Sequence, residues 1–359
     1  MTPPHSEHYR AHECLDHDEW DQFVASHPWG TIYHTSTWKR VIEKSFRHIR
    51  GKFLVLRQSE GGPIVAGLPL YDVTSWLTGS RLVSVPYGTL CDPLVGCCDE
   101  LASLLSYPIR LNEDPGYGKF RMGGILQADK MFFDERFLLT NTHKHHYLSL
   151  ESEFREIVKT FKRTVRQSKN IGDRAGLEVV VGEDEAGLKA FHELYSETRK
   201  RNHVPTQPYH YFFNLVTELN RVNAISLLLV RLGENMVGSG IVIKFNGRAT
   251  LEFLASSSKA LALRPNHALV WAAIEMAHRE GLKIFDFGRT NPEDQGLMRF
   301  KRSWGTMEAD LAVATLGNNC KSSIYNRNSS VWKISEFMSE ELPAPLYATF
   351  SKFVYRHTG

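Results

Sequence analysis

The sequence predicts an α/β protein built of two successive lobes, and three patterns support this prediction. Residues 177–316 alternate strand-like and helix-like segments in a regular order. Within them, the turn Asn246-Gly247 separates two apolar segments, which is a strong signal for a β-hairpin. Residues 1–150 repeat the alternation more weakly. Each half is therefore expected to form its own lobe around a sheet.

Hydrophobic spacing assigns the elements of the second half. Apolar residues recur every three or four positions after Gly182 and again after Pro208, which indicates two amphipathic helices. Pro265 suits the first turn of a third helix. The predicted order is a strand at 177–181, helices at 183–201 and after Pro208, strands at 224–232, 236–245 and 248–255, a helix from Pro265 to near Gly281, and strands at 282–287 and 308–315.

The first half is assigned in the same way. Thr35 or Ser36 is a good cap for a helix that carries Trp38 and Val41. Strands are expected near 53–57, 64–71 and 82–87, with a short helix near 99–107, while 112–146 reads as irregular. The expected domains are an N-terminal lobe at 1–150, a bridging basic helix at 151–176, a catalytic lobe at 177–316 and an appendage at 317–359.

Composition narrows the class of protein. The chain has 359 residues, of which 42% are hydrophobic and 23% charged, and a net charge of +3. These values indicate a globular protein of about two domains. No apolar run approaches the 18 to 20 residues that cross a bilayer, and the start is no secretory signal, so a cytoplasmic location is expected. Five cysteines without a CxxC pair, and histidines without ligand-type partners, predict no metal site.

The most informative segment is 285–305. An apolar strand with one carboxylate, Phe285-Asp286-Phe287, runs into Gly288-Arg289, and Phe300-Lys301 with Trp304-Gly305 follow shortly after. Together with Arg264-Pro265-Asn266, this segment resembles the FemAB-like branch of the GNAT superfamily, the armless relatives of the peptidoglycan-bridge aminoacyltransferases. The resemblance extends over roughly residues 30–316. It implies two tandem GNAT-like (acyl-CoA N-acyltransferase) lobes with mixed central sheets.

The resemblance also implies a reaction and a set of residues. An aminoacyl or acyl group would pass to an amine of a cell-envelope precursor, of peptidoglycan or exopolysaccharide, with peripheral contact at the inner membrane. Lys301 would stabilise the developing oxyanion and Phe300 would position the acyl ester. Asp286 would orient the amine or accept its proton, or else it would form a structural ion pair with Arg289 or cap the following loop through the amides after Gly288. The expected substrate-binding residues are Arg289, Arg201, Lys39, Arg264 and Trp304. Arg201 would contact the phosphates of the acceptor, and the matching basic residue of the first lobe is Lys39 or its neighbour Arg40.

The donor is left open between aminoacyl-tRNA and acyl-CoA, and no cofactor is expected. Acyl-CoA enzymes of this superfamily hold pyrophosphate on a glycine-rich turn, but residues 263–268 contain no glycine, and Pro265 lacks an amide. This disfavours acyl-CoA. An acyl-CoA-dependent N-acyltransferase of an amino sugar remains the alternative enzyme.

The basic segment 155–174 allows a third interpretation. It carries seven Lys or Arg against two acidic residues. Such a face is either solvated or binds RNA or an anionic membrane. A catalytically inactive scaffold that binds RNA or lipid is therefore the alternative outside the enzymes.

Overall fold

The computed structural model describes residues 10–112, 119–131, 133–182, 184–316 and 342–358. The chain divides into two compact units. Of the described residues, those in 10–142, 310–316 and 356–358 belong to unit 1, and those in 143–309 and 342–355 belong to unit 2. The basic segment 151–176 thus lies inside unit 2. Most of the expected appendage, 317–341, lies outside the described residues.

Unit 1 is built on an antiparallel meander with one parallel strand pair. Its described strands have the order β1-β2-β3-β4-β5, with β12 beside β5, and among these strands only β4 and β5 pair in parallel. Its core combines leucines such as Leu54, Leu68 and Leu104 with buried aromatic rings such as Phe120. The elements are β1 (His12–Cys14), α1 (His17–Ser26), α2 (Ser36–Ser45), β2 (Ile49–Arg57), β3 (Ile64–Ser75), β4 (Gly79–Val83), α3 (Cys98–Asn112), β5 (Phe120–Ile125), β6 (Phe137–Ser149, continuing into unit 2) and β12 (Met307–Leu316, from residue 310).

Unit 2 carries a mixed sheet whose described strands lie in the order β6-β11-β10-β9-β8-β7, and among them only β10 and β11 pair in parallel. Both α6 and α8 pack against β9 and β10. The elements are α4 (Phe154–Thr160), α5 (Arg163–Arg174), β7 (Leu177–Val181), α6 (Glu185–Arg201), α7 (Tyr209–Asn220), β8 (Ile225–Leu232), β9 (Asn235–Phe245), β10 (Arg248–Ser256), α8 (Pro265–Arg279), β11 (Ile284–Thr290), α9 (Gln295–Arg302) and α10 (Ala344–Tyr355).

The central feature of unit 2 is the separation of two parallel strands. β10 and β11 pair at only three positions, the last of which joins Thr250 to Asp286. β10 nevertheless continues to Ser256 and β11 to Thr290. Beyond Asp286 the facing backbone groups of the two strands are therefore not used in pairing. A bulge at Glu252 in the β9–β10 ladder falls in the same region.

Two sequence expectations were wrong in the structure. The single basic helix is two helices, because Phe161 and Lys162 adopt extended backbone; this buries Phe161 beside Trp304 and lets the Lys162 amide donate to the Ser303 carbonyl at 2.8 Å. The segment 112–146, expected to be irregular, contains β5 and most of β6. The sequence of β6 is polar and has no apolar alternation, so periodicity did not reveal it. Among the described residues, no helix is long and apolar enough to span a bilayer.

Candidate functional site

A completely buried carboxylate lies where β10 and β11 separate. Asp286 Oδ1 is 2.8 Å from His145 Nε2, and Oδ2 accepts from Arg248 Nη1 at 2.9 Å. The backbone amide of Gly288 donates to Oδ1 at 2.7 Å. The structural ion pair envisaged for Asp286 is therefore present, but its partner is Arg248 and not Arg289.

These contacts determine the charge of Asp286. Burial by itself raises the pKa of a carboxyl group, but His145, Arg248 and the Gly288 amide outweigh it and lower the pKa of Asp286 to about 2. The group is thus a carboxylate at neutral pH. Because a base with so low a pKa is a weak proton acceptor, the geometry favours a positioning role for Asp286 over general-base catalysis.

Lys301 projects from α9 into the region between the separated strands. Its side chain is only 6% exposed. The Nζ atom donates to the carbonyl oxygens of Gly288 and Arg289, each at 3.1 Å. Gly288 has φ +69°, a conformation that suits glycine and turns the backbone here. An ammonium group has three N–H donors, so these two bonds leave one donor for a ligand.

The charge of Lys301 is finely balanced. Burial lowers its pKa, while Asp286 and Glu252 raise it and Arg289 lowers it further, with a net value of about 7. Both the ammonium and the neutral amine are therefore populated near neutral pH. The arrangement can present either an N–H donor for a developing oxyanion or a lone pair for a proton.

Aromatic rings support the lysine from one side. Phe300 is half-buried and packs edge-on against His267 and Trp304, with ring centroids 5.2 and 6.1 Å away. Trp304 is completely buried, and Phe161 and Phe287 are among its neighbours. Phe300 thus retains surface for a substrate. Trp304, expected to bind substrate, instead holds Phe300 from within the core.

Two of the expected substrate-binding arginines are exposed. Arg289 extends from the end of β11, while its carbonyl holds Lys301. Arg264 precedes α8 in the left-handed conformation, φ 65° and ψ 42°. A residue other than glycine in that conformation costs about 1 to 2 kcal/mol, and such strain is concentrated at functional sites.

The start of α8 offers few amide donors. Pro265 has none, and the amides of His267 and Ala268 both donate to the Arg264 carbonyl, at 3.0 and 3.2 Å. Helix starts bind phosphate through such amides, so this one is a weak pyrophosphate site. Among the described residues, no three His, Cys, Asp or Glu side chains form a group that could hold a metal ion.

The two remaining predicted residues are engaged in protein contacts. Arg201 donates to the Ser256 carbonyl at 3.2 Å, on the β10 edge that β11 has left. Its side chain keeps a third of its surface exposed. Lys39 lies in unit 1, where it forms an ion pair with Glu43 at 3.0 Å. The structure therefore gathers Asp286, Arg289, Phe300 and Lys301 in unit 2, whereas Lys39 belongs to the other unit.

Sequence reasoning missed His145, Arg248 and Glu252. Arg248 directly follows the predicted Asn-Gly turn, so its place at the start of a strand was foreseeable, but its partner was not. Glu252 was hidden because a bulge interrupts the strand alternation that would have oriented it. His145 lies in β6, which no pattern identified.

The chain is similar in sequence to one protein family and in fold to several solved structures. Residues 159–302 match the family model described as an acetyltransferase (GNAT) domain. Similar solved structures include FemX (16% identity, TM-score 0.67, 85% of this chain and 96% of that chain), L-PGS from Bacillus licheniformis (14%, 0.55, 90% and 96%) and a tandem GNAT protein from the clavulanic acid biosynthesis pathway (11%, 0.55, 86% and 99%). A search of curated proteins finds no match. The predicted tandem GNAT-like α/β fold and the acyltransferase class are thus confirmed.

Removal of the buried carboxylate tests its role in the fold. Asp286→Asn should lower the free energy of unfolding by roughly 3 kcal/mol, because Arg248 loses its counter-ion. Since the pKa of Asp286 is lowered from 3.8 to about 2 on folding, the difference should persist above pH 4 and vanish as the pH falls to about 2. Urea titrations at several pH values measure it.

A matched control is Glu178→Gln, which breaks the exposed pair with Arg231 and should change stability by less than about 1 kcal/mol. Equal stabilities of wild type and Asp286→Asn at pH 7 would contradict the ion-paired assignment.

Proposed function

We propose that this chain, whose residues 159–302 form a GNAT acyltransferase domain, transfers an aminoacyl or acyl group from an activated ester to an amine of a cell-envelope precursor. The observation that carries the proposal is the buried Lys301, held by two carbonyls and left with one N–H donor where β10 and β11 separate. Burying an ammonium group costs desolvation energy, which favours a functional role for Lys301 over an inactive scaffold.

The reaction has a simple electron balance. The amine lone pair forms a C–N bond to the acyl carbon, the carbonyl oxygen becomes an oxyanion, and the C–O or C–S bond of the donor then breaks. The amine proton leaves to a base or to the leaving group. In the proposed mechanism the protonated Lys301 donates its third N–H to the oxyanion, which lowers the barrier because the donor is already oriented and shielded from water.

Neighbouring residues take supporting roles in the proposal. Phe300 offers an apolar face to the acyl ester, and the buried ring of Trp304 packs against Phe300 and holds it in place. Arg289 and Arg264 are exposed cations suited to phosphate or carboxylate groups of the substrates. Arg201, which keeps a third of its side chain exposed, remains the proposed contact for the acceptor's phosphates, and Lys39 remains a proposed substrate-binding residue of unit 1.

The start of α8 favours aminoacyl-tRNA over acyl-CoA as the donor. Pro265 and the internally bonded amides of His267 and Ala268 leave little for a pyrophosphate. The C-terminal domain of a putative lysylphosphatidylglycerol synthetase from Agrobacterium fabrum has a similar structure (12% identity, TM-score 0.54), and a synthetase of that name makes an aminoacylated lipid. The alternative enzyme is an acyl-CoA-dependent N-acyltransferase of an amino sugar.

Replacement of the lysine tests the mechanism. Lys301→Met should reduce kcat/KM by about 10² to 10³, the usual effect of losing one oxyanion donor. In the wild type, kcat/KM should fall as the pH rises through about 7, because only the ammonium form can donate. Transfer of a labelled acyl group to an amine-bearing wall precursor measures both effects.

The matched control is Lys283→Met, which removes an exposed lysine just before β11 and should leave the rate unchanged. A Lys301→Met rate within a few-fold of wild type would remove Lys301 from the catalytic machinery. A kcat/KM that rises through pH 7 and loses this rise in Lys301→Met would instead make Lys301 the base.

The donor preference can be measured directly. Calorimetric titration with acetyl-CoA should show no tight site, because the α8 start lacks amide donors. Pro265→Gly is the informative variant, since it restores an amide and should strengthen any residual binding. Tight acetyl-CoA binding by the wild type would promote the acyl-CoA alternative.

RNA binding by the basic face of α4 and α5 distinguishes the proposed enzyme from the alternative of an inactive scaffold. Lys159 and Lys169 pair with Glu156 and Asp173, so part of this charge is already neutralised. If the face binds tRNA, affinity should fall with salt with a log-log slope of roughly 0.7 to 0.9 per phosphate. The variant Lys159→Glu/Lys162→Glu should flatten the slope, and the control Lys189→Glu on α6 should not. RNA binding that survives in an enzyme inactive with every donor would favour the scaffold.

A further inference from the structure

The turn between β3 and β4 in unit 1 exposes two large apolar side chains. Trp76 is 76% exposed and Leu77 54% exposed. A tryptophan this open to water leaves most of its apolar surface unburied, and adjacent exposed apolar side chains mark contact surfaces more often than isolated ones do. The reaction proposed for unit 2 does not use this turn.

The turn is ordered. Ser75 Oγ accepts hydrogen bonds from the amides of Leu77 at 3.1 Å and Thr78 at 3.0 Å. The same oxygen lies 2.9 Å from His357 Nδ1. The ring of Trp76 stands at 89° to that of His357, with centroids 5.1 Å apart. Trp76 is thus held outward by a braced turn, which reduces the entropy lost on binding.

Positive charge surrounds this tip. Arg81 donates to Thr78 Oγ1 at 3.0 Å and to the His357 carbonyl at 3.2 Å. Arg356 directly precedes His357, and the ring of His48 lies 2.9 Å from the Thr358 carbonyl on the same short segment. The segments of unit 1 that meet here, 44–50, 73–84 and 356–358, contain five Lys or Arg and no Asp or Glu, and the flanking acids Glu43 and Asp72 are paired with Lys39 and Lys52.

We propose that this hairpin tip docks on an anionic phospholipid surface, with Trp76 and Leu77 entering the interface and the arginines contacting headgroup phosphates. Tryptophan prefers the boundary between headgroups and acyl chains, and each nearby Lys or Arg strengthens binding to anionic lipid. A protein partner fits less well, because a stable interface buries about 800 Å² on each side and two side chains offer only part of that area.

The inference concerns unit 1 and does not depend on acyl transfer. If the acceptor of the proposed reaction is lipid-linked, docking would bring the enzyme to its substrate. Binding to vesicles is measured without turnover, so a failure of either proposal is distinguishable from a failure of the other.

The test is co-sedimentation of the full chain with vesicles of phosphatidylcholine alone or mixed with phosphatidylglycerol. The wild type should bind the mixed vesicles and not the neutral ones. Trp76→Ala should weaken the partition coefficient about tenfold and Arg356→Gln about fivefold. Phe213→Ala, which removes a 47% exposed ring on α7, is the matched control and should bind like the wild type. Lipids brominated in the acyl chain should quench fluorescence in the wild type but not in Trp76→Ala.

Several outcomes would overturn the proposal. They are an absence of vesicle binding, equal binding to neutral vesicles, or full binding by Trp76→Ala. Binding that disappears only in Lys159→Glu/Lys162→Glu would move the membrane contact to the basic face of α4 and α5. Self-association without vesicles that Trp76→Ala abolishes would make the tip a contact between copies of the chain.

Discussion

The buried ion pair of Asp286 and Arg248 holds the candidate site together. Arg248 comes from β10, His145 from β6 and Asp286 from β11, so the carboxylate ties three adjacent strands where their regular pairing ends. Such an ion pair is stabilising only when its polar atoms are well satisfied. The Gly288 amide supplies a further donor to Asp286, and the carbonyl of the same residue accepts from Lys301. The geometry of the lysine therefore follows from that of the carboxylate.

The burial of Lys301 lowers the stability of the fold at neutral pH. Its pKa in the folded protein, about 7, lies below the ordinary value of 10.5. Between these values the unfolded chain binds more protons than the folded one, so this residue makes the protein more stable as the pH rises from 7 towards 10.5. At neutral pH the fold thus keeps a lysine that lowers its stability. The carboxylates of Asp286 and Glu252 stabilise the ammonium form of Lys301 and so offset part of that loss of stability.

The separation of β10 and β11 connects the fold with the proposed chemistry. A fully paired sheet would use the carbonyls of Gly288 and Arg289 in its ladder, whereas here they are available to Lys301. On the opposite edge, Arg201 and Thr198 satisfy the backbone of Ser256. Side chains thus replace the missing strand pairing, as buried backbone groups require. The two strands can separate because their polar edges are covered in this way.

The sequence by itself determined the elements with strong local signals. The hairpin at Asn246-Gly247, the helix that begins at Pro265 and the strand through Asp286 all follow from turn chemistry and hydrophobic period, and so does the grouping of Phe300 and Lys301 with that strand. Only the tertiary structure decided which partners these residues have. Arg248 and not Arg289 neutralises Asp286, a polar strand supplies His145, and Trp304 lies in the core. The physical reason is that period and turn signals are local along the chain, whereas burial and ion pairing depend on strands that are distant in sequence.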